Sequence, residues 1–326
     1  MSLSGSPVSI DTAMAARLLP MKELIGALRA AFVDGCVVPA RHHHTITVPG
    51  EADATLLLMP SWQEKRDGES FLGVKLVNVF PGNAAKGLPG LTSSYLLFDS
   101  GTGAHLATID GNVITTRRTA AVSALAASFL SRENATKLFV VGAGRVASLI
   151  PDAYRAVRAI AEVRVWDINP ENAAALAAQL CREGLDARPE TDLEAGARWA
   201  DVISCATLAT TPLIRGAWLQ PGVHVDLIGA FTPDMREADD EAIARSDVFV
   251  DAEEAFHEAG DLVQPIRSGA FRQEDCKARL RELCSGAAAG RTDPAQVTLF
   301  KAVGTALSDL AAGTLAYKLH RDASAQ

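Results

Sequence analysis

Lys137-Leu-Phe-Val-Val-Gly-Ala-Gly-Arg-Val-Ala147 is the stretch that decides the fold. Leu138 to Val141 form the short, continuously apolar run that a buried parallel strand needs. Gly142-Ala-Gly144-Arg145-Val146-Ala147 follows at once and fits GxGxxG/A. In that pattern the first glycine permits a tight turn and the second lets backbone approach a pyrophosphate. The third small residue lets helix pack on strand. Ser148 to Ile160 reads as the helix, with Pro151 inside it, where a missing donor is expected to kink or open it. Val163-Arg-Val-Trp-Asp167 is a second strand ending in an acid, placed to accept hydrogen bonds from an adenosine ribose. Ile168 and Asn169 come next rather than an arginine able to pair with a 2′-phosphate, so NAD(H) is slightly preferred over NADP(H).

The segments beyond extend the same architecture. Asn169-Pro170 opens an alanine-rich helix over 171–181, and 202–206 and 223–228 are short apolar strands. Ligands bind beyond the carboxyl ends of such strands, so Ala206, Thr207, Gly229 and Ala230 are expected to line the cofactor cleft. Residues 247–251 read as a further strand and 297–317 as a final long helix. The expected class is α/β: a doubly wound Rossmann domain, with the β-rich block before it as a separate substrate or assembly domain.

Composition narrows the function. A net charge of −8 over 326 residues, with no basic block, argues against a nucleic-acid partner. No window approaches the roughly 18 apolar residues of a membrane span. The N-terminus lacks a basic region followed by an apolar core, so no secretion signal is expected. Cys36, Cys181, Cys205, Cys276 and Cys284 are scattered without CxxC spacing, as expected of reduced thiols in a cytoplasmic protein. His42-His43-His44 is no metal site on this reading, because adjacent strand residues alternate faces. No metal is expected elsewhere.

The N-terminal third reads as helices followed by strands. Asp11 caps a short helix ending near Leu19-Pro20, and 21–32 carries helical spacing. Strand-like runs follow at 45–48, 55–58, 72–79, 94–98 and 105–109. Lys75 stands among Val74, Leu76, Val77 and Val79, so it points into a cleft or buries its stem, while spacing alone also allows a simple solvated lysine. The loop 81–90 is rich in turn formers and long enough to cover a site. A long helix then spans 112–130. Its Arg117 and Arg118 sit badly with the helix dipole near an N-terminus, unless they meet a carboxylate ligand or form a surface salt bridge.

These residues together resemble the ornithine cyclodeaminase/mu-crystallin family over nearly the whole chain. The marks are Val38-Pro-Ala-Arg41, Gly73-Val-Lys75, Gly87-Leu-Pro89, Arg118-Thr-Ala-Ala121, Val141-Gly-Ala-Gly144 and Ile228-Gly-Ala230. Val250-Asp251, Glu258-Ala-Gly-Asp261 and Phe300-Lys-Ala-Val-Gly304 complete them. The resemblance implies a homodimer acting on a small amino or imino acid, with Arg41, Lys75 and Arg118 as the catalytic set that grips its carboxylate. It also implies an α+β substrate-binding and dimerisation domain over 1–118 with 303–326, and the Rossmann domain between those pieces over 119–302. It implies cofactor contacts from Thr119, Gly142, Gly144, Arg145, Val146, Ala147, Asp167, Ala206, Thr207, Gly229 and Ala230.

Within such a family the cyclodeaminases use an aspartate as general acid/base, at the place Phe231 holds here. Phenylalanine moves no protons. Asp234 lies three positions on and is a distant substitute. The preferred expectation is therefore reduction of a cyclic imine, Δ1-pyrroline-2-carboxylate or Δ1-piperideine-2-carboxylate, to proline or pipecolate. The alternatives are a lyase of the ornithine cyclodeaminase or hydroxyproline dehydratase type, another amino-acid dehydrogenase, and a crystallin-like protein that binds nucleotide without catalysis.

Overall fold

Val8–Ile10 (β1), three residues with no strand signal in the sequence, pair in parallel with a later strand and so begin the first sheet. The computed structural model describes residues 6–64 and 68–324, and divides the chain into two units, 1–118 with 305–326 and 119–304. In the first unit Asp11 caps Thr12–Leu18 (α1) by accepting from Met14 N at 2.8 Å, and Pro20 precedes Met21–Asp34 (α2). His42–Ile46 (β2), Ala54–Trp62 (β3), Phe71–Val79 (β4), Leu91–Asp99 (β5) and His105–Asp110 (β6) follow. Among the described residues they form a six-stranded sheet of order β1-β6-β5-β4-β3-β2, antiparallel from β2 to β6.

Gly111–Leu130 (α3) starts directly after β6, where Asp110 Oδ1 accepts from Asn112 N and Val113 N at 2.8 and 3.0 Å. The helix end thus already has its anion. Arg118 lies two turns further in, so its place is not explained by the helix dipole. Its partner is described with the site below.

The second unit is built on an eight-stranded, wholly parallel sheet. Its elements in order are Lys137–Val141 (β7), Ile150–Arg155 (α4), Glu162–Trp166 (β8), Pro170–Arg182 (α5), Asp186–Pro189 (β9), Leu193–Trp199 (α6) and Val202–Cys205 (β10). His224–Leu227 (β11), Asp240–Ala244 (α7), Asp247–Val250 (β12), Ala255–Glu258 (α8), Gly260–Ser268 (α9), Ala278–Arg279 (β13), Leu280–Ser285 (α10) and Thr298–Lys301 (β14) complete it. The strand order is β13-β12-β14-β11-β10-β7-β8-β9. The chain runs outward from β7 through β8 to β9, then returns to place β10 on the other side. That reversal makes a crevice at the carboxyl ends of β7 and β10, where such sheets bind ligands.

Two expectations are corrected here. Residues 297–317 are not one helix: Thr298–Lys301 is a strand between β11 and β12, and the last helix is Ala306–Ser324 (α11). Every residue of β14 is buried, so it shows no alternation, and a short apolar run of that kind reads equally as buried strand or helix. The segment after the glycine turn is likewise not a helix kinked at Pro151. Ala147–Leu149 is a 3-10 turn, and Pro151 stands in the first turn of α4, where a missing N–H leaves no bond unmade.

Candidate functional site

Lys75 lies on β4 in phase with Phe71, Gly73 and Val77, the positions that this strand buries. Its side chain is 3% exposed, and its Nζ lies 2.7 Å from Oδ2 of Asp309 on α11. The other oxygen, Oδ1, accepts from Arg118 Nε at 3.0 Å. Asp309 is wholly buried and Arg118 nearly so, so the charges interact with little screening. The sequence reading missed Asp309. The signal available was an acid three residues into an apolar helix, Ala306-Leu-Ser-Asp309, next to the Phe300-Lys-Ala-Val-Gly304 mark.

The electrostatics follow from this arrangement. Burial lowers Lys75 to about 8 against the pull of Asp309, and the charges of Arg118 and Arg41 push the same way. Arg41, half-buried, is therefore within electrical reach of Lys75. Burial works to raise Asp309, but Lys75 and Arg118 outweigh it together and hold the carboxyl below its ordinary range. The result is two buried cations sharing one carboxylate, with a third cation near by. The net positive charge suits one further carboxylate.

The glycine of the Gly73-Val-Lys75 mark has a steric reason. A Cβ at Gly73 would fall 1.8 Å from the hydroxyl of Tyr95, the residue paired with Lys75 across β4 and β5. A Cβ at Gly313 on α11 would fall 2.4 Å from Cε1 of the same ring. Both glycines make room for the buried ring.

In the second unit the glycine turn closes as Gly142 N donates to Trp166 O at 2.7 Å. Gly142 has φ +107°, and a Cβ there would lie 2.8 Å from Ala206 O and 3.3 Å from Thr207 Cγ2. Gly144 differs: a Cβ would meet no atom within 4 Å. The second glycine thus faces open space at the crevice mouth, the room a pyrophosphate needs against backbone. Asp167 follows β8. Its Oδ2 accepts from Ala143 N at 2.8 Å and its Oδ1 from Asn169 N at 2.9 Å, so the carboxylate is fixed beside the turn. Arg145 is exposed, Val146 is half-buried and Ala147 is packed beneath. These residues fit a dinucleotide.

Thr207 and Gly229, after β10 and β11, are both bound by Glu237, which the sequence reading did not single out. Ala206 and Ala230 flank them; Thr119 lies in α3 on the other side of the unit boundary from Arg118. Phe231 and Asp234 are exposed. Among the described residues no group of three or more His, Cys, Asp or Glu side chains could hold a metal ion. His42 and His44 share a side of β2 with ring centroids 6.4 Å apart. Among the described residues no two cysteines are joined in a disulfide. No helix of the described residues is long and apolar enough to cross a membrane.

Comparison with known proteins agrees with this architecture. An uncharacterized protein of Schizosaccharomyces pombe is 45% identical over 99% of this chain and 100% of its own length. The Δ1-pyrroline-2-carboxylate reductase of Paracoccus denitrificans is 38% identical over 94% of this chain and 95% of its own. The structure of Thermococcus litoralis Δ1-pyrroline-2-carboxylate reductase in complex with NADH and L-proline superposes with TM-score 0.89. It is 32% identical and covers 97% of this chain and 98% of that one. Residues 10–324 match the profile of the ornithine cyclodeaminase/mu-crystallin family, and the chain belongs to that family.

Proposed function

We propose that this protein is a nicotinamide-dependent reductase of cyclic imino acids, taking Δ1-pyrroline-2-carboxylate or Δ1-piperideine-2-carboxylate to L-proline or L-pipecolate. The observation that carries the reading is the buried Lys75–Asp309–Arg118 group, in which two cations share one carboxylate among the described residues. A substrate carboxylate completes the balance and brings its ring to Lys75. Two of the relatives named above are Δ1-pyrroline-2-carboxylate reductases, which supports the assignment.

The bound nicotinamide would supply a hydride to the imine carbon. The chain's residues would supply the rest. Arg118 and Arg41 orient the carboxylate, and bidentate guanidinium geometry fixes its plane. Lys75, with its pKa drawn toward neutrality, pairs with the acid and keeps the imine nitrogen protonated. A protonated imine is already electrophilic, so placement of groups supplies most of the remaining catalysis. Gly142, Gly144, Arg145, Val146 and Ala147 would hold the pyrophosphate, and Asp167 the adenosine ribose. A ribose-binding acid in that place favours NAD(H).

Loss of the proton-moving group at Phe231 sets this chemistry apart from deamination. Glu237, a buried acid six residues further on, has both oxygens committed to Thr207 and Gly229, and the buried Asp226, five residues before, accepts from Ser204 Oγ. The test is an assay of the purified protein with NADH or NADPH and Δ1-pyrroline-2-carboxylate generated in place. Cofactor oxidation matched by L-proline supports the reading. Ammonia release from ornithine with NAD, and no imine reduction, would replace it with a lyase. We also infer a homodimer, for which light scattering should return twice the 34.4 kDa chain mass.

A further inference from the structure

Glu237 is fully buried, and each of its oxygens holds a different turn of the dinucleotide unit. Oε1 accepts from Thr207 N at 2.7 Å and from Thr207 Oγ1 at 2.8 Å. Oε2 accepts from Gly229 N at 2.8 Å. Thr207 in turn abuts Gly142, since a Cβ on that glycine would come 3.3 Å from Thr207 Cγ2. One carboxylate therefore fixes the ends of β10 and β11 directly, and through Thr207 it borders the glycine turn after β7. Gly229 has no room for any side chain, because a Cβ would lie 2.1 Å from Thr207 O and 2.4 Å from Glu237 Oε1.

The carboxylate is itself held from behind. Asp261 Oδ1 accepts from Glu237 N at 2.7 Å and from Ala238 N at 3.2 Å. Asp261 Oδ2 receives Lys301 Nζ at 2.9 Å. Asp261 and Lys301, both fully buried, belong to the Glu258-Ala-Gly-Asp261 and Phe300-Lys301 marks, which the substrate clamp leaves unexplained. The group is two acids and one ammonium.

We propose that Glu237 is a positioning residue for the nicotinamide cofactor, its carboxylate tying the Thr207 and Gly229 turns into the arrangement that binds it. The inference rests on the reading of this unit as a nicotinamide site. It carries a pH dependence. Burial and the charge of Asp261 raise Glu237 to about 7, against the pull of Lys301 and the Thr207 bonds. Asp261 on α9, Lys301 on β14 and the Cys205 thiol on β10 are the titratable groups that face it. A proton on Glu237 removes one of its acceptors, so cofactor affinity falls on the acid side of neutrality. Asp226, buried on β11, is raised to about 6 and titrates in the same pH range, so a variant must assign the effect.

The experiment is NADH binding, followed by fluorescence from pH 5.5 to 8.5, for wild type and Glu237→Gln, with thermal melts of both. Glutamine accepts from Thr207 but turns an amide toward Gly229 N. The proposal expects wild-type Kd to rise as pH falls through about 7, toward tenfold per unit. Glu237→Gln should bind about tenfold or more weakly at pH 8, with a flat profile. A flat wild-type profile, or a folded variant that binds like wild type, overturns the proposal. If the variant does not fold, the wild-type profile decides: NADH binding that weakens below neutrality supports the proposal. Wild type that binds neither NADH nor NADPH at any pH overturns the underlying nicotinamide reading as well.

Discussion

Lys75 Nζ lies 2.7 Å from Asp309 Oδ2, joining a central strand of the first sheet to the last helix through a wholly buried ion pair. Because Arg118 shares the same carboxylate, Asp309 neutralises only one of two cations. Asp309→Asn should therefore cost about 3 kcal/mol or more, the scale for stranding a buried charge. Urea unfolding measures it. Lys75→Met added to that variant should recover part of the loss, and strict additivity of the two changes would mean that the pair is not coupled.

The depressed pKa of Lys75 sets two pH effects of known sign. Its folded value, about 8, lies below its ordinary 10.5, so the unfolded chain holds more protons between those values and stability rises with pH across that window. Activity runs the other way. In the proposed role the ammonium is the active form, so kcat/KM should fall as pH passes about 8 in the free enzyme. Saturating imino acid adds a carboxylate beside the lysine and should move that limb of kcat to higher pH. Lys75→Met should lower kcat/KM by about a hundredfold or more and abolish the limb.

Gly142 and Gly144 make a paired test of the crevice. Gly142→Ala puts a Cβ 2.8 Å from Ala206 O at φ +107°, and should destabilise the fold. Gly144→Val meets no protein atom within 4 Å of its Cβ, so the melting temperature should stay within a few degrees of wild type. NADH binding should nevertheless be lost, because the side chain fills the space reserved for pyrophosphate. A Gly144→Val protein that binds NADH normally would remove the turn from the site.

Asp167 provides a test of coenzyme choice. Its carboxylate is fixed by Ala143 N and Asn169 N, and no arginine follows it. Asp167→Ser should weaken NADH by about tenfold through loss of charge-assisted bonds to the ribose, and should raise the NADPH/NADH ratio of kcat/KM. An unchanged ratio would show that Asp167 does not read the ribose.

Much of this was legible because local signals agreed with the fold. The glycine turn, the acid after β8, the Asp11 cap and a lysine set among apolar residues in β4 each carry a backbone or burial requirement that only certain residues meet. What the sequence concealed was long-range. Asp309 is one acid in a helix until the chain brings it to Lys75, and Glu237 is one acid in a loop until Thr207 and Gly229 close on it. Burial hid β14 as well, since a strand covered on both faces loses the period that marks it. Pro151 misled for a related reason: the helix begins at it rather than running through it.

The first unit is made from both ends of the chain, with the second unit as one continuous stretch between them. Arg118 and Asp309 are 191 residues apart in sequence. At ribosomal rates of roughly 5–20 residues per second, the cations are made about 10 to 40 seconds before their counter-ion. Synthesis therefore imposes an order. The dinucleotide unit has all its residues first, while the clamp waits for α11 to emerge. A chain truncated before Asp309 and released from the ribosome should retain a folded, NADH-binding middle and lack the native first unit, so the last helix to be made is the one that completes the enzyme.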